Sequence, residues 1–312
     1  MKRQDSPFGK STRGFSARIA SGCAVLLLAV FSMVGPVSAQ RPDTGMRAVA
    51  LVTGSTDGLG REVALRLGLS GAHVIVHGRN EERGRAVVEE IEAHEGSASL
   101  IIADLASMAQ VRELAATVLR DYDRLDILVN NAGIGRGADT SIRSESEEGY
   151  ELRFAVNHLS HFYLTRTLLP LLRASAPARI VSVSSTAQQP IDFDNVMLER
   201  DYDGARAYAQ SKLAMIMMTV DLAEELEGTG VTANAVHPAV YMATSMVLNR
   251  GGTPMTTIDE GADPVMQVIT SPLAGSGNYF RQADNVRAAD QAYDAAARRQ
   301  LHELSMELTG LN

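Results

Sequence analysis

The stretch AYAQSK at residues 207–212 places Tyr208 and Lys212 four residues apart. In a helix that spacing puts both side chains on one face. A phenol with an ordinary pKa near 10 is a poor proton carrier at neutral pH, but a neighbouring cation that stabilises its phenolate turns it into a usable acid or base. Lys212 can be that cation. The chain holds three lysines, Lys2, Lys10 and Lys212, and relies on arginine for all its other permanently charged bases. An ammonium is a compact point charge and a guanidinium is a broad fork, so a lysine kept beside this tyrosine points to a site that requires lysine. Ser184 and Ser185 offer hydroxyls that can hold a substrate carbonyl, or that can simply cap a strand end. His158 and His161 have a spacing a metal accepts, yet no third ligand is nearby, and no metal is expected.

These residues need a scaffold, and the apolar pattern supplies one. Short runs, AVALV at 48, HVIVH at 73, SLIIA at 99, DILVN at 126, RIVSVS at 179 and VTANAV at 231, alternate with long amphipathic stretches. Unbroken runs rich in branched residues fit strands covered on both faces. Val63 and Leu67, then Val87 and Ile91, then Val111, Ala115 and Val118 recur at helical spacing. Strand and helix in alternation predict a parallel sheet with right-handed crossovers, whose ligands bind beyond the carboxyl ends of the strands.

TGSTDGLG at 53–60 follows the first run directly and opens a helix. Glycine lets the backbone approach a pyrophosphate, and the helix N-terminus offers free N–H groups and a positive dipole end. A tight turn would also use glycine, but the strand, loop and helix context favours a phosphate site made by Gly54, Ser55, Thr56, Asp57, Gly58, Leu59 and Gly60. At the end of the second run, an acid would hold a ribose 2′-hydroxyl and an arginine would accommodate a 2′-phosphate. The sequence there is HVIVHGRN, with Arg79 and no acid. NADP(H) is therefore expected over NAD(H), which stays open. Glu81 and Glu82 fit the first turn of a helix capped by Asn80.

The whole chain has 29 Lys and Arg against 37 Asp and Glu. Five of those bases and one of the acids fall within residues 1–39, so the remainder is more acidic still and repels nucleic acid and anionic membranes. Residues 1–39 read as a signal or targeting segment: a basic start, then CAVLLLAVFSMVG, then VSA before Gln40. The apolar run is about a dozen residues, short of the roughly 20 a spanning helix needs. STRGFSA at 11–17 is similar to a twin-arginine export signal, with Thr12 where the first arginine belongs. Export or membrane association is the expectation; a start at Met46 would make the protein cytoplasmic. The single cysteine, Cys23, lies in the leader, so the rest of the chain has neither a disulfide nor a thiolate metal site.

Taken in order, TGSTDGLG, NNAG (130–133), VNH (156–158), SVSS (182–185) and YAQSK (208–212) resemble the short-chain dehydrogenase/reductase superfamily over about residues 46–240. YELRFAVNHLSHFYLTRTLLPLL and the long segment between Ser185 and Tyr208 are similar to its retinol dehydrogenase-like members. The resemblance implies an α/β fold: a single doubly wound Rossmann-type domain over 46–312, with a parallel sheet of about seven strands flanked by helices. It makes Tyr208 the acid in carbonyl reduction and the base in alcohol oxidation. Lys212 lowers the tyrosine's pKa and holds the nicotinamide ribose, Ser185 orients the carbonyl, and Asn157 holds a water that relays protons toward Lys212. Asp104, with Leu105 beside it, contacts the adenine, and Asn131, Ala132 and Gly133 line the cofactor floor. After the sixth strand the family has Pro-Gly and then a threonine; here HPAVYMATSM keeps Pro238, puts Ala239 in the glycine's place and sets Thr244 one position late.

Residues 241–284 are expected to close the substrate pocket, and a tail with Leu301, Leu304 and Leu308 at helical spacing to dock on the body or pack in a homo-oligomer. The expected partner is a small hydrophobic alcohol, aldehyde or ketone, with no nucleic acid and no membrane span in the body. The expected function is an NADP(H)-dependent alcohol–carbonyl oxidoreductase. A cofactor-binding sensor of the same fold without turnover is the alternative that Ala239 raises.

Overall fold

The computed structural model describes residues 47–249 and 251–311; the leader, its cleavage after Ala39 and the alternative start at Met46 lie outside the described residues. Eight strands form one sheet: β1 (Val49–Val52), β2 (His73–Gly78), β3 (Ser97–Ile102), β4 (Ile127–Asn130), β5 (Ala178–Val183), β6 (Val231–His237), β7 (Tyr279–Arg281) and β8 (Asp284–Val286). Their order is β3-β2-β1-β4-β5-β6-β7-β8, parallel throughout except for the antiparallel β7–β8 pair. The chain winds outward from β1 in one direction and from β4 in the other. Their junction is the switch point beyond which such sheets bind ligands.

Alternation along the strands divides the core. Ala50, Val52, Val74, Val76, Val129 and Val181 face helices α1 (Gly58–Leu69), α2 (Glu81–Ala93) and α8 (Ile258–Thr270). Leu51, Ile75, Leu128 and Ile180 face α3 (Met108–Asp121), α5 (Ser160–Ala174) and α6 (Gly204–Glu225). Asn80 caps α2 as expected, its side-chain oxygen accepting the Arg83 N–H at 2.8 Å. Coverage on both faces fails for β3, which is the sheet's edge and half-exposed along most of its length. A strand's place in the sheet order leaves no mark on its own composition.

The segment expected to close the pocket is more ordered than its sequence suggests. It contains α7 (Ser245–Leu248), α8 and the short β7, and α8 sends Val265, Val268 and Ile269 into the core. A capping box between Thr257 and Glu260 starts α8. Gly261 and Pro264 inside the helix disguise its periodicity, and three-residue strands fall below what alternation can register.

The C-terminal helix α9 (Ala295–Thr309) docks on the body. Leu301 enters the core, and Arg298 reaches Asp221 and Glu224 on α6. Arg112 and Tyr150 donate to the carbonyls of Thr309 and Leu308, each at 3.0 Å. Met215, Met217 and Met218 are buried core residues of α6. Among the described residues no helix is long and apolar enough to cross a membrane. Leu301→Ala should cost about 2–4 kcal/mol of unfolding free energy through the cavity it leaves. Exposed Glu303→Ala should stay within about 0.5 kcal/mol. Urea denaturation of both variants checks the docking; equal stabilities would contradict it.

Candidate active site

Ser184 and Ser185 stand at the carboxyl end of β5, opposite the middle of α6. The two hydroxyls have different work. Ser184 Oγ donates to the Lys212 carbonyl at 2.7 Å and ties the strand to the helix. Ser185 Oγ accepts the Ala187 N–H at 3.1 Å, which leaves its own proton to donate outward. On α6, Lys212 is buried, and its Nζ donates to the Val183 carbonyl at 2.8 Å. The ammonium lies 5.9 Å from the Tyr208 ring centre, and burial pushes its pKa down to about 8. Tyr208, one turn earlier on the same face, is half-buried.

Asn157 is the centre of a π-helical turn (Ala155–Leu159) between the short helix α4 (Leu152–Phe154) and α5. Such wide turns often mark functional sites. Both protons of its side-chain amide are placed: Nδ2 donates to Ile134 O (3.1 Å) and Ser211 Oγ (2.9 Å), while Oδ1 accepts the Ile134 N–H (2.8 Å). A relay water at this residue would therefore be held as a donor to one of its oxygens. Gly133 is what lets the three elements meet, since a Cβ there would lie 3.2 Å from Asn157 Oδ1 and 3.3 Å from Lys212 Nζ.

The glycine loop packs onto the strand ends by backbone approach. Gly54 has φ +64°, and a Cβ on it would lie 2.9 Å from Ala132 Cα; one on Gly60 would lie 2.3 Å from Gly54 O. Asn131 Nδ2 donates to Thr53 O at 2.7 Å and to Gly54 O at 3.3 Å, so the loop and the NNAG segment form one surface. Ser55 is buried and bonded to the His77 backbone, Thr56 lies over Gly78, and Leu59 is buried, while Asp57 caps α1 and is exposed. Leu105 packs in the core with Met108 and Val111, which leaves its backbone alone for a cofactor. Arg79 Nη1 pairs with Asp104 Oδ2 at 3.2 Å, on the far side of the loop. Past buried Pro238 the chain turns through Tyr241 in the left-handed region (φ +45°). Thr244 then lands against the loop, its Cγ2 3.1 Å from where a Gly58 Cβ would stand, and Ser245 Oγ donates to Asp57.

The family model described as short chain dehydrogenase matches residues 48–253. The chain belongs to the short-chain dehydrogenases. It is 36% identical to human retinol dehydrogenase 13 over 84% of each chain, and 34% identical to human retinol dehydrogenase 14 over 95% of this chain and 98% of that one. Among solved structures, an uncharacterized protein of Mycobacterium paratuberculosis superposes with a TM-score of 0.71 at 28% identity, over 85% of this chain and 94% of that one. The active-site complex of Pseudomonas aeruginosa RhlG with NADP superposes with a TM-score of 0.61 at 30% identity, over 75% and 94%. This short-chain dehydrogenase is thus an NAD(P)-dependent oxidoreductase acting on CH–OH groups. Its residues fit a nicotinamide dinucleotide: the first-turn amides of α1, Leu59 and Gly60 among them, have no acceptor within the helix, and the glycine loop brings backbone close to them.

Sequence alone passes over several supporting groups. His77 Nδ1 accepts the Gly54 N–H at 3.1 Å, and burial pushes His77 down to about 4, so it is neutral. Tyr279 on β7 and Gln188 both donate to the Ser185 carbonyl, at 3.0 and 2.9 Å. Buried Arg153 holds the carbonyls of Gly135 and Arg136 and the Tyr202 hydroxyl, bracing the chain on either side of the site. The only signal for Gln188 is its place three residues past Ser185; Tyr279 sits in a run too short to flag. His158 and His161 point to different partners, Ser305 and Thr53, and no metal-binding cluster exists among the described residues.

Gly133→Ala should displace the ends of Asn157 and Lys212 slightly and lower kcat/KM by about 10-fold. Lys212→Arg should be no better, because the broader guanidinium must fit the same gap. Steady-state kinetics with thermal melts to confirm folding check both; a Gly133→Ala enzyme at wild-type kcat/KM would refute the crowding argument.

Proposed function

We propose that the chain is an NADP(H)-dependent oxidoreductase that interconverts an alcohol and a ketone or aldehyde by hydride transfer, on a small-to-medium hydrophobic substrate. The observation that carries the chemistry is the cluster of Tyr208, Lys212 and Ser185 at the end of β5. The glycine loop and the α1 N-terminus would hold the pyrophosphate of a nicotinamide dinucleotide, which would supply or accept the hydride. Tyr208 supplies the proton to the substrate oxygen in reduction and removes it in oxidation. Ser185 donates its hydroxyl hydrogen to that same oxygen and holds it in place. The Lys212 ammonium favours the phenolate that Tyr208 becomes, and a water accepted at the Asn157 carbonyl would relay protons toward Lys212.

Arg79 supports NADP(H) over NAD(H). It follows β2 directly, where an acid would suit a ribose 2′-hydroxyl, and its guanidinium, though paired with Asp104, stays largely exposed with donors to spare. Gly54 to Gly60, Asn131 to Gly133, Asp104, the Leu105 backbone, Pro238 and Thr244 complete the cradle. The NADP held by RhlG is consistent with this choice. A hydrophobic substrate draws support from the retinol in the names of both human relatives and from Val240, Tyr241 and Met246, apolar side chains on the segment after β6.

Three measurements test this reading. Tyr208→Phe should lower kcat/KM for carbonyl reduction by about 1,000-fold and leave the Kd for NADPH within about threefold. Arg79→Asp should reverse a preference for NADPH over NADH; an unchanged preference rules out the role given to Arg79. Burial places Lys212 at about 8 in the free enzyme, charged below and neutral above, so kcat/KM for reduction should fall as pH rises through about 8. A profile flat to pH 10 would contradict the need for its charge.

A further inference from the structure

The two histidines of VNHLSHF face opposite ways, and His161 faces the site. It is fully buried on α5, one turn beyond Asn157. Its Nδ1 is 3.0 Å from the Asn157 carbonyl. A carbonyl can only accept, so Nδ1 carries the proton and donates to it. Nε2 is then a bare lone pair, and the Thr53 hydroxyl 3.0 Å away can only donate to it. The one competing acceptor for that hydroxyl proton, the Val129 carbonyl, is farther, at 3.2 Å. Thr53 Oγ1 in turn accepts the backbone N–H groups of Asn131 (2.9 Å) and Ala132 (3.0 Å). Burial pushes His161 down to about 3, with Lys212 and His77 adding to the effect, so a second proton never disturbs this pattern near neutral pH.

One ring therefore touches both halves of the site. We propose that His161 is a positioning residue that sets the Asn157 carbonyl through Nδ1 and the cofactor floor at Asn131 and Ala132 through Nε2 and Thr53. On the first side, the bond from Nδ1 fixes one lone pair of the carbonyl and leaves the other for a relay water. On the second, the Thr53 hydroxyl is oriented by its nearer acceptor, Nε2, so that its oxygen presents lone pairs to the two floor amides. Both halves rest on the hydride-transfer reading for their meaning, but the second is readable from cofactor binding alone.

Two amides split the ring's functions. An Asn side chain carries an N–H at the position of Nδ1 and nothing at Nε2; a Gln side chain carries a carbonyl near Nε2 and loses the short arm. His161→Asn should raise the Kd for NADPH about 10-fold while kcat at saturating NADPH falls no more than about threefold. His161→Gln should do the reverse, with kcat about 10-fold lower and Kd within about threefold. Thr53→Val should copy the binding defect of His161→Asn, and Thr53→Ser should restore it. If the two His161 variants alter Kd and kcat alike, or alter neither, the assignment is overturned. Should they fail to fold, equal NADPH affinity in Thr53→Val and Thr53→Ser overturns the floor arm. Wild-type NADPH binding without turnover of any carbonyl would sink the hydride-transfer reading instead, leaving the Kd comparison to decide the role of His161.

Discussion

Everything at the site answers to one costly choice, a lysine ammonium kept out of water. Lys212 has a carbonyl, a methionine sulfur and the face of a tyrosine around it, and among the described residues no carboxylate pairs with it. An unpaired buried cation costs several kcal/mol, which is why burial alone drives its pKa down to about 8. That same lack of a counter-ion makes the charge useful. A carboxylate beside Lys212 would cancel its field, whereas here the field falls on the Tyr208 ring, where negative charge develops when the phenol gives up its proton.

Holding a charge in this state requires surroundings that cannot relax to neutralise it. The ends of β1, β4 and β5, the π turn at Asn157 and the middle of α6 are therefore locked to one another by buried hydrogen bonds rather than by apolar packing alone. Ser184 fastens strand to helix, Asn157 clamps Ile134 by both its N–H and its carbonyl, and Thr53 gathers the Asn131 and Ala132 amides. Close backbone approach at Gly54, Gly60 and Gly133 is the geometric condition for all of this. Polar networks of this kind are strong only when complete, so a single lost partner is felt across the site.

The placement of Tyr208 and Lys212 was legible because local spacing decides it. Tyr208 and Lys212 share a helix face at a separation of four, Asn80 stands where a cap must stand, and the apolar runs alternate with helices as a parallel sheet demands. What supports them was not legible, because it depends on which strand lies beside which. Ser184 and Ser185 are chemically identical in sequence, and only the position of α6 makes one a tie and the other a donor. His77 and Tyr279 act through residues far away along the chain, Gln188 acts on a carbonyl three residues back that only a turn brings to it, and Asn157 gives no sign that its turn is π-helical. Helix α8 was hidden by its own Gly261 and Pro264, although the Thr257–Glu260 box marked its start.

The site is unevenly built, with a buried part and an exposed part. Its acid–base half stands on buried, cross-linked elements. The segment after β6 meets the glycine loop through Thr244 against Gly58 and Ser245 on Asp57, buries Val247 and part of Met242, and presents Val240, Tyr241, Leu248 and Met255 to solvent. Segments with few buried contacts open at small free-energy cost, while buried ones move only with the fold. Substitutions at exposed positions in residues 240–256 can thus be made without disturbing the position of the ammonium, whereas any change that moves Val183, Gly133 or Asn157 alters its surroundings. The buried cluster is fixed by the sheet, while the exposed segment beside it is where sequence can vary at least cost to the fold.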